Sequence, residues 1–347
     1  MSLFFFKKKC LFLVIVGKSS SNLIEVLSGV PQGSVLGPLL FVIFINDMPE
    51  VVINACKLFA DDSKLIAIVR STFDLKIVQE DIDQIVNWAS SWHMKFNNGK
   101  CKYMHFGSTR PITMQFTMSS SGQSRHIIEQ STVERDLGVM VNSRMKCDDH
   151  IDKVVQTANG VLCSLKNAFK YWTTDNFKKL YSAFVRPHLE FCTAAWNPTQ
   201  KKDIKRLEKV QRRATKLVPH LKNLNYKERL AAIGLTTLEE RRVRGDIIQM
   251  YKINSKINQV RLHALVESST TIDTALPSSN LRRKRDRLTR QFCTVAPREN
   301  FFTNRVSALW NELPENVINA ASVNVFKSKF DKFRLQQQLS SNTTIAE

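Results

Sequence analysis

Residues 57–69, KLFADDSKLIAIV, set two adjacent carboxylates, Asp61 and Asp62, between two apolar runs. Like charges side by side repel most where water is scarce. An acidic pair beside Leu58, Phe59 and Ala60 is therefore stable chiefly where a cation offsets it. The flanks, 57–60 and 64–69, are rich in branched and aromatic residues and read as short strands, while Asp61, Asp62 and Ser63 are turn formers. The pattern predicts a hairpin with two carboxylates at its tip. Two readings stay open at this point: a solvated Asp-Asp-Ser turn, or a pair of hard oxygen ligands of the kind Mg²⁺ takes, with water and substrate phosphate completing its shell.

The charge balance narrows the choice of partner. In 347 residues, 51 Lys and Arg stand against 31 Asp and Glu, a net charge of +20. Such a surface favours a polyanion, and nucleic acid is the leading candidate over an acidic membrane face. The length allows two or three domains. No apolar run reaches the roughly 18 to 20 residues a membrane span needs, so no membrane partner is expected. Residues 1–17 put three lysines before an apolar run, as a signal peptide does, but Phe4, Phe5 and Phe6 and the lack of a small-residue cleavage site argue against secretion. Seven scattered cysteines suit a reducing compartment, so an intracellular location, nucleus or cytoplasm, is expected. Cys147-x-x-His150 and His188-x-x-x-Cys192 are each half a zinc site without a second half at finger spacing.

Upstream of the acidic pair lies LSGVPQGSVLGPLLFVIFINDMP, residues 27–49. Gly29, Pro31, Gly33, Gly37 and Pro38 make 29–37 a shaped loop, and an apolar helix follows with Pro38 in its first turn and Pro49 as its stop. A glycine-rich loop entering a helix lets backbone amides approach a phosphate, base or sugar; it is also an ordinary way to enter a buried helix.

Together these stretches carry a resemblance. GVPQGSVLGPLLF followed by FADD closely resembles the reverse transcriptases of non-LTR retrotransposons, the jockey-like group in particular. WASSWHMKFNNGKCKYMHFG, residues 88–107, is similar to the family's next palm motif, and ERDLGVMV, residues 134–141, to its primer-grip strand. RPHLEFCTAAWNP, LEKVQRRATKLV and FFTNRVSALWNELPENV look like the helical region and tail that follow the polymerase, so the resemblance runs over about 14–334. It implies an RNA template, a DNA primer and Mg²⁺. Asp61 and Asp62 then match metal-binding catalytic residues; Pro31, Gln32, Gly33, Ser34 and Phe59 match positions lining nucleotide and template. Lys100 matches a lysine that protonates the leaving pyrophosphate, with an exposed turn lysine as its other reading. Leu137 and Gly138 match the primer grip, or are simply a strand end.

The chain also departs from the family. Such polymerases carry a further metal-binding aspartate upstream of the Gly-Pro loop, and a fingers subdomain. Residues 1–28 contain no aspartate, and Glu25 is their one acid. The expectation is a reverse transcriptase truncated on its N-terminal side and inactive alone. The alternative is a non-catalytic nucleic-acid-binding remnant, or a protein-interaction module built on the helical region; the oligomeric state is left open.

Periodicity supplies the rest. Val78, Ile82, Ile85, Ala89 and Trp92 predict a helix over 72–94 with Ser71 or Thr72 as N-cap, and Trp88 and Trp92 read as core. Strands are expected at 101–106 and 137–141. From Ile151 to Trp172 an apolar stripe predicts a helix of about six turns. Residues 201–218 pair an apolar side with a basic one, and residues 201–256 hold 16 basic and six acidic side chains. Lys205, Lys209, Arg212 and Arg213 are the expected contacts to a nucleic-acid backbone. Within 257–300, LRRKRDRLTR lies in a basic, Ser/Thr-rich linker. Two further helices are expected about Phe302 to Trp310 and Val325 to Phe333. The predicted fold is α+β: a leader (1–13), a partial palm (14–145), a basic thumb-like helical region (146–256), a linker (257–300) and a helical tail (301–347).

Overall fold

The computed structural model describes residues 10–26, 33–107, 115–119, 125–260, 288, 290 and 292–343. Mixed helices and small two-stranded sheets fall into two compact units, residues 1–103 with 109–130, and 104–108 with 131–347. The Ser/Thr-rich stretch and most of LRRKRDRLTR lie outside the described residues, as do Pro31 and Gln32.

In the first unit, β1 (Cys10–Phe12) pairs antiparallel with β4 (Ile24–Val26), and β2 (Ile15–Val16) with β3 (Ser19–Ser20). Helix α1 (Gly37–Ile45) follows, with Pro38 in its first turn as expected. Pro49 does not stop it. The helix ends at Ile45, and Pro49 opens the 3₁₀ turn Met48–Val51, where a missing N–H is harmless. Strands β5 (Ala55–Phe59) and β6 (Asp62–Ile66) form the predicted acidic hairpin.

Helix α2 (Thr72–Ser91) starts at a capping box. Ser71 Oγ accepts from the Asp74 N–H at 3.3 Å, and the Asp74 carboxylate accepts from the Ser71 N–H at 2.7 Å. Its bonds from the backbone N–H groups of Arg70 and Ser71 hold the Asp74 carboxyl below the usual range. The helix buries two apolar faces. Ile85, Trp88 and Ala89 pack with Cys56 of the hairpin and Ile45 of α1, whereas Leu75, Ile82 and Val86 pack with Phe116, Met118 and Ile128. Trp88 is core as expected, but Trp92 is 43% exposed, edge-on to Phe44 at 5.1 Å. The strand expected at 101–106 is reduced to β7 (Lys102–Tyr103); β8 (Thr117–Met118) pairs with β9 (His126–Ile127), and β10 (Glu129–Gln130) runs parallel to β7.

The second unit opens with the hairpin β11 (Val133–Asp136) and β12 (Val139–Asn142), which sequence grouping set with the preceding region. Helix α3 (Asp148–Ala168) buries Ile151, Val154, Ala158 and Leu162. It ends four residues before Trp172, because Phe169 turns extended and its ring instead meets Trp172 at 6.0 Å. Between α4 (Thr174–Leu180) and α5 (Arg186–Glu190) the chain makes a π-helical turn, Tyr181–Val185. Pro187 explains it: proline cannot donate to the carbonyl four residues back and its ring crowds that carbonyl, so the ladder widens. Then come α6 (Thr193–Trp196), α7 (Lys201–Ala214), α8 (Tyr226–Ile233) and α9 (Leu238–Asn254). Leu207, Val210 and Ala214 of α7 share a core with α3 and with Phe177, Tyr181 and Val185.

After the short helix α10 (Ala296–Glu299), a second core joins α9 to the tail helices α11 (Phe302–Glu312), α12 (Glu315–Ile318) and α13 (Val323–Thr343). Both expected tail helices are present. Tyr251 stacks on Phe326 at 4.3 Å and donates its hydroxyl to the Ala320 carbonyl at 2.6 Å. No helix among the described residues is long and apolar enough to cross a membrane.

Candidate functional site

The tip of the β5–β6 hairpin is tighter than the sequence suggests. Phe59 pairs with Asp62 and Leu58 with Ser63, so the turn is Ala60–Asp61 and Asp62 is already a strand residue. Ala60 takes φ +50°, where a Cβ is crowded, which is a local strain of about 1 to 2 kcal/mol. Alternation then sorts the strands. Cys56, Leu58 and Leu65 pack inward against α1 and α2, while Lys57, Phe59, Lys64 and Asp62 share the other face. Phe59 is 62% exposed and both aspartates are exposed.

What fixes the hairpin is a residue the sequence reading passed over. Asp81 of α2 is buried and accepts hydrogen bonds from the Ile53 N–H at 2.8 Å, the Asn54 N–H at 3.0 Å and Asn54 Nδ2 at 2.8 Å. It anchors the chain one residue before β5 begins. The available signal was its spacing: Asp81 lies three residues after Val78 and four before Ile85, so it sits on the apolar stripe as an acid. Cys56 beside it has its thiol pushed up, mainly by burial and then by the Asp81 charge.

The donor set at the tip suits a divalent cation in kind. Asp61 and Asp62 offer hard carboxylate oxygens. Among the described residues, no group of three or more His, Cys, Asp or Glu converges to hold a metal ion. Of the loop residues, Gly33 sits at φ +84° with open space around its Cβ position, and Ser34 Oγ accepts from the Gly37 N–H at 3.1 Å, holding the loop to the start of α1. Lys100 is exposed on the 3₁₀ turn Asn98–Lys100.

In the second unit, Leu137 and Gly138 form the two-residue turn of the β11–β12 hairpin, at φ +45° and +90°. Successive positive φ values fit the twist of a hairpin and favour glycine. A Cβ on Gly138 would lie 2.9 Å from Phe191 Cε1, so this position also needs glycine for the ring to close over it.

Helix α7 sorts its charges by side. Its acids, Asp203 and Glu208, are buried, while Lys201, Lys202, Lys205, Lys209, Arg212 and Arg213 are exposed. Arg212 lies over the Tyr226 ring at 4.5 Å, and Arg213 Nη1 donates to Asn159 Oδ1 at 3.2 Å. Beneath them runs a polar network that periodicity did not reveal. Gln211 accepts from the Tyr181 hydroxyl at 2.8 Å and donates to the Tyr226 hydroxyl at 2.9 Å and the Thr236 carbonyl at 3.0 Å. Glu208 accepts from the Tyr226 hydroxyl and from the Leu238 N–H at 3.1 Å. Burial pushes the Glu208 carboxyl up, and burial with the Glu208 bond pushes the Tyr226 phenol up. Glu208 is consumed inward, while buried Asp203 pairs with Arg206 of the same helix at 3.4 Å and Arg206 also meets Asp152 of α3; the fully exposed positions of α7 are all basic.

Comparison with known proteins agrees with the motifs. Residues 2–165 match the family model for reverse transcriptase (RNA-dependent DNA polymerase). The chain is 28% identical over 215 residues to the RNA-directed DNA polymerase from mobile element jockey of Drosophila funebris, covering 56% of this chain and 22% of that one. It is 30% identical over 161 residues to the jockey polymerase of Drosophila melanogaster, covering 42% and 16%. With the probable RNA-directed DNA polymerase from transposon X-element of Drosophila melanogaster it shares 24% over 208 residues, covering 56% and 22%. The chain thus spans about a fifth of the length of these curated relatives. No solved structure matches it.

Proposed function

We propose that this chain belongs with the reverse transcriptases of jockey-like non-LTR retrotransposons and that it supplies part of a polymerase palm and a basic thumb-like region that grips nucleic acid through phosphates. The observation that carries the grip is the charge sorting on α7. Acids turned inward and bases turned outward make a face that meets phosphate after phosphate without reading sequence. Solvated helix faces usually mix the two signs, as i,i+4 pairs do.

For the chemistry, Asp61 and Asp62 would hold Mg²⁺, and the bound ion would supply charge to the attacking 3′-hydroxyl and the triphosphate. Pro31, Gln32, Gly33, Ser34 and Phe59 would line the nucleotide and template. Lys100 would give a proton to the departing pyrophosphate, and Leu137 with Gly138 would position the primer. The resemblance implies a further metal-binding aspartate, and among the described residues no third acid joins this pair. In this reading, then, the 347-residue chain alone does not extend a primer, and an RNA template and DNA primer are partners of the longer polymerase. An intracellular location, nucleus or cytoplasm, goes with it.

Primer extension on an RNA template with Mg²⁺ or Mn²⁺ tests the catalytic part. No incorporation is expected from the chain alone. Steady deoxynucleotide incorporation that Asp61→Ala abolishes would overturn the claim that the site is incomplete.

A further inference from the structure

Tyr171, in the loop between α3 and α4, is 84% exposed, and Phe169 just before it is 41% exposed. The backbone of this loop is nonetheless tied down. The Phe169 N–H donates to the Leu165 carbonyl at 3.0 Å, and Asn176 Nδ2 donates to the Tyr171 carbonyl at 2.9 Å. Asn176 also closes the capping box of α4: its Oδ1 accepts from the Thr173 N–H at 2.9 Å, and its N–H donates to Thr173 Oγ1 at 3.2 Å. Trp172 turns inward, edge-on to Phe169 at 6.0 Å and to Phe177 at 6.2 Å, and packs against the core that α3 shares with α7. A fixed backbone therefore holds the Tyr171 ring out in water.

The surroundings of the loop are basic. Within residues 166–179 the exposed lysines Lys166, Lys170, Lys178 and Lys179 stand against Asp175 alone, which pairs with Lys179 at 2.7 Å. Helices α3 and α7 run in the same direction, because Arg206 meets Asp152 and, farther along both helices, Arg213 meets Asn159 at 3.2 Å. Past the end of α7, His220 still reaches Thr174, at 3.2 Å. The basic helix therefore leads along α3 toward the loop at the end of α3 that carries Tyr171.

We propose that Tyr171 is a stacking platform for an unpaired base of a nucleic-acid strand whose phosphates are held by the α7 face, Lys166 and Lys170. The proposal rests on the phosphate grip of α7 and names single strands, or a strand end beyond a duplex, as what that grip serves. A base offers its π face only where it is unpaired or terminal, and stacking on an aromatic ring tolerates any sequence because every base has such a face. An exposed ring beside cations that track the backbone is the pair of contacts such binding uses. A membrane surface fits less well. Interfacial anchoring scales with the apolar area buried, whereas here Trp172 is turned into the core and the most exposed ring of the loop has a polar tip.

The test is fluorescence anisotropy of the full chain with an unstructured single-stranded oligonucleotide of about 12 nucleotides, and with an abasic strand of the same length, which keeps the phosphates and lacks the bases. The parent should bind the base-bearing strand about fivefold or more tightly than the abasic one. Tyr171→Ala should remove that preference at an unchanged abasic affinity, and Tyr171→Trp should restore it. Lys166→Ala/Lys170→Ala should instead weaken both strands alike and flatten the log–log salt slope by about 1 to 1.5 units. The α7 grip is read on a different measurement, the salt slope of duplex binding, which Tyr171→Ala should leave as it is, so the two claims fail separately. Equal affinity of the parent for both strands, a preference that survives Tyr171→Ala, or Tyr171-dependent binding to phosphatidylserine vesicles without a base preference would each overturn the proposal.

Discussion

Asp81 and Asn54 are joined twice: one carboxylate oxygen of Asp81 accepts both the backbone N–H of Asn54, at 3.0 Å, and its side-chain amide, at 2.8 Å. Because Asn54 immediately precedes β5, this buried contact ties the acidic hairpin to α2.

Asp81→Ala should therefore destabilise the first unit by about 1 to 3 kcal/mol, since it removes a buried acceptor and leaves three part-buried donors unpaired. Asp81→Asn, which keeps one acceptor oxygen, should cost less. Urea unfolding followed by hydrogen exchange at β5 and β6 checks both; an Asp81→Ala chain with unchanged protection there would show that the hairpin is held otherwise.

Gly138 should not tolerate a side chain. At φ +90° and with Phe191 Cε1 only 2.9 Å from the Cβ position, Gly138→Ala is expected to lose about 1 to 3 kcal/mol, visible as a lower unfolding temperature. Its neighbour behaves oppositely: Leu137, at φ +45° and 42% exposed, should gain up to about 1 kcal/mol as Leu137→Gly.

The fold was legible where period and punctuation agree. Ser71 marked the start of α2, and the stripe from Ile151 gave α3. The acidic tip was legible as a hairpin, although Asp62 proved to be a strand residue because Ala60 accepts a left-handed conformation that its side chain does not advertise. Polar burial was the hidden part. Asp81 and Gln211 lie on apolar stripes and could be suspected from spacing, whereas Glu208 and Arg242 sit at helical positions that read as surface, and only tertiary neighbours from distant sequence decide that they are inside. For α7 this matters most, since its basic character was countable from sequence but the inward turn of its acids was not.

His150 predicts a pH dependence. It is buried, its Nδ1 accepts from the Met140 N–H at 3.1 Å, and burial pushes its imidazole below the ordinary value of 6.5. The unfolded chain therefore binds this proton first as the pH falls, so the stability from neutral His150 is present above about pH 6.5 and is lost progressively below it. Its slope cannot exceed about 1.4 kcal/mol per pH unit. His150→Gln should flatten that part of the stability profile; an identical profile in parent and variant would assign the acid loss to other groups.

The most direct measurement of the account is the salt dependence of duplex binding by the full chain. If Lys205, Lys209, Arg212 and Arg213 meet phosphates, the log–log slope should be about −4 to −5, and replacing all four by Ala should flatten it by about 3 to 4 units. Folding should survive, because what is lost is the Arg212 contact to Tyr226, the Arg213 bond to Asn159 and exposed charge, together about 1 to 2 kcal/mol. A quadruple variant that folds and binds duplex with the parent's slope would contradict the central claim and return α7 to an ordinary solvated helix.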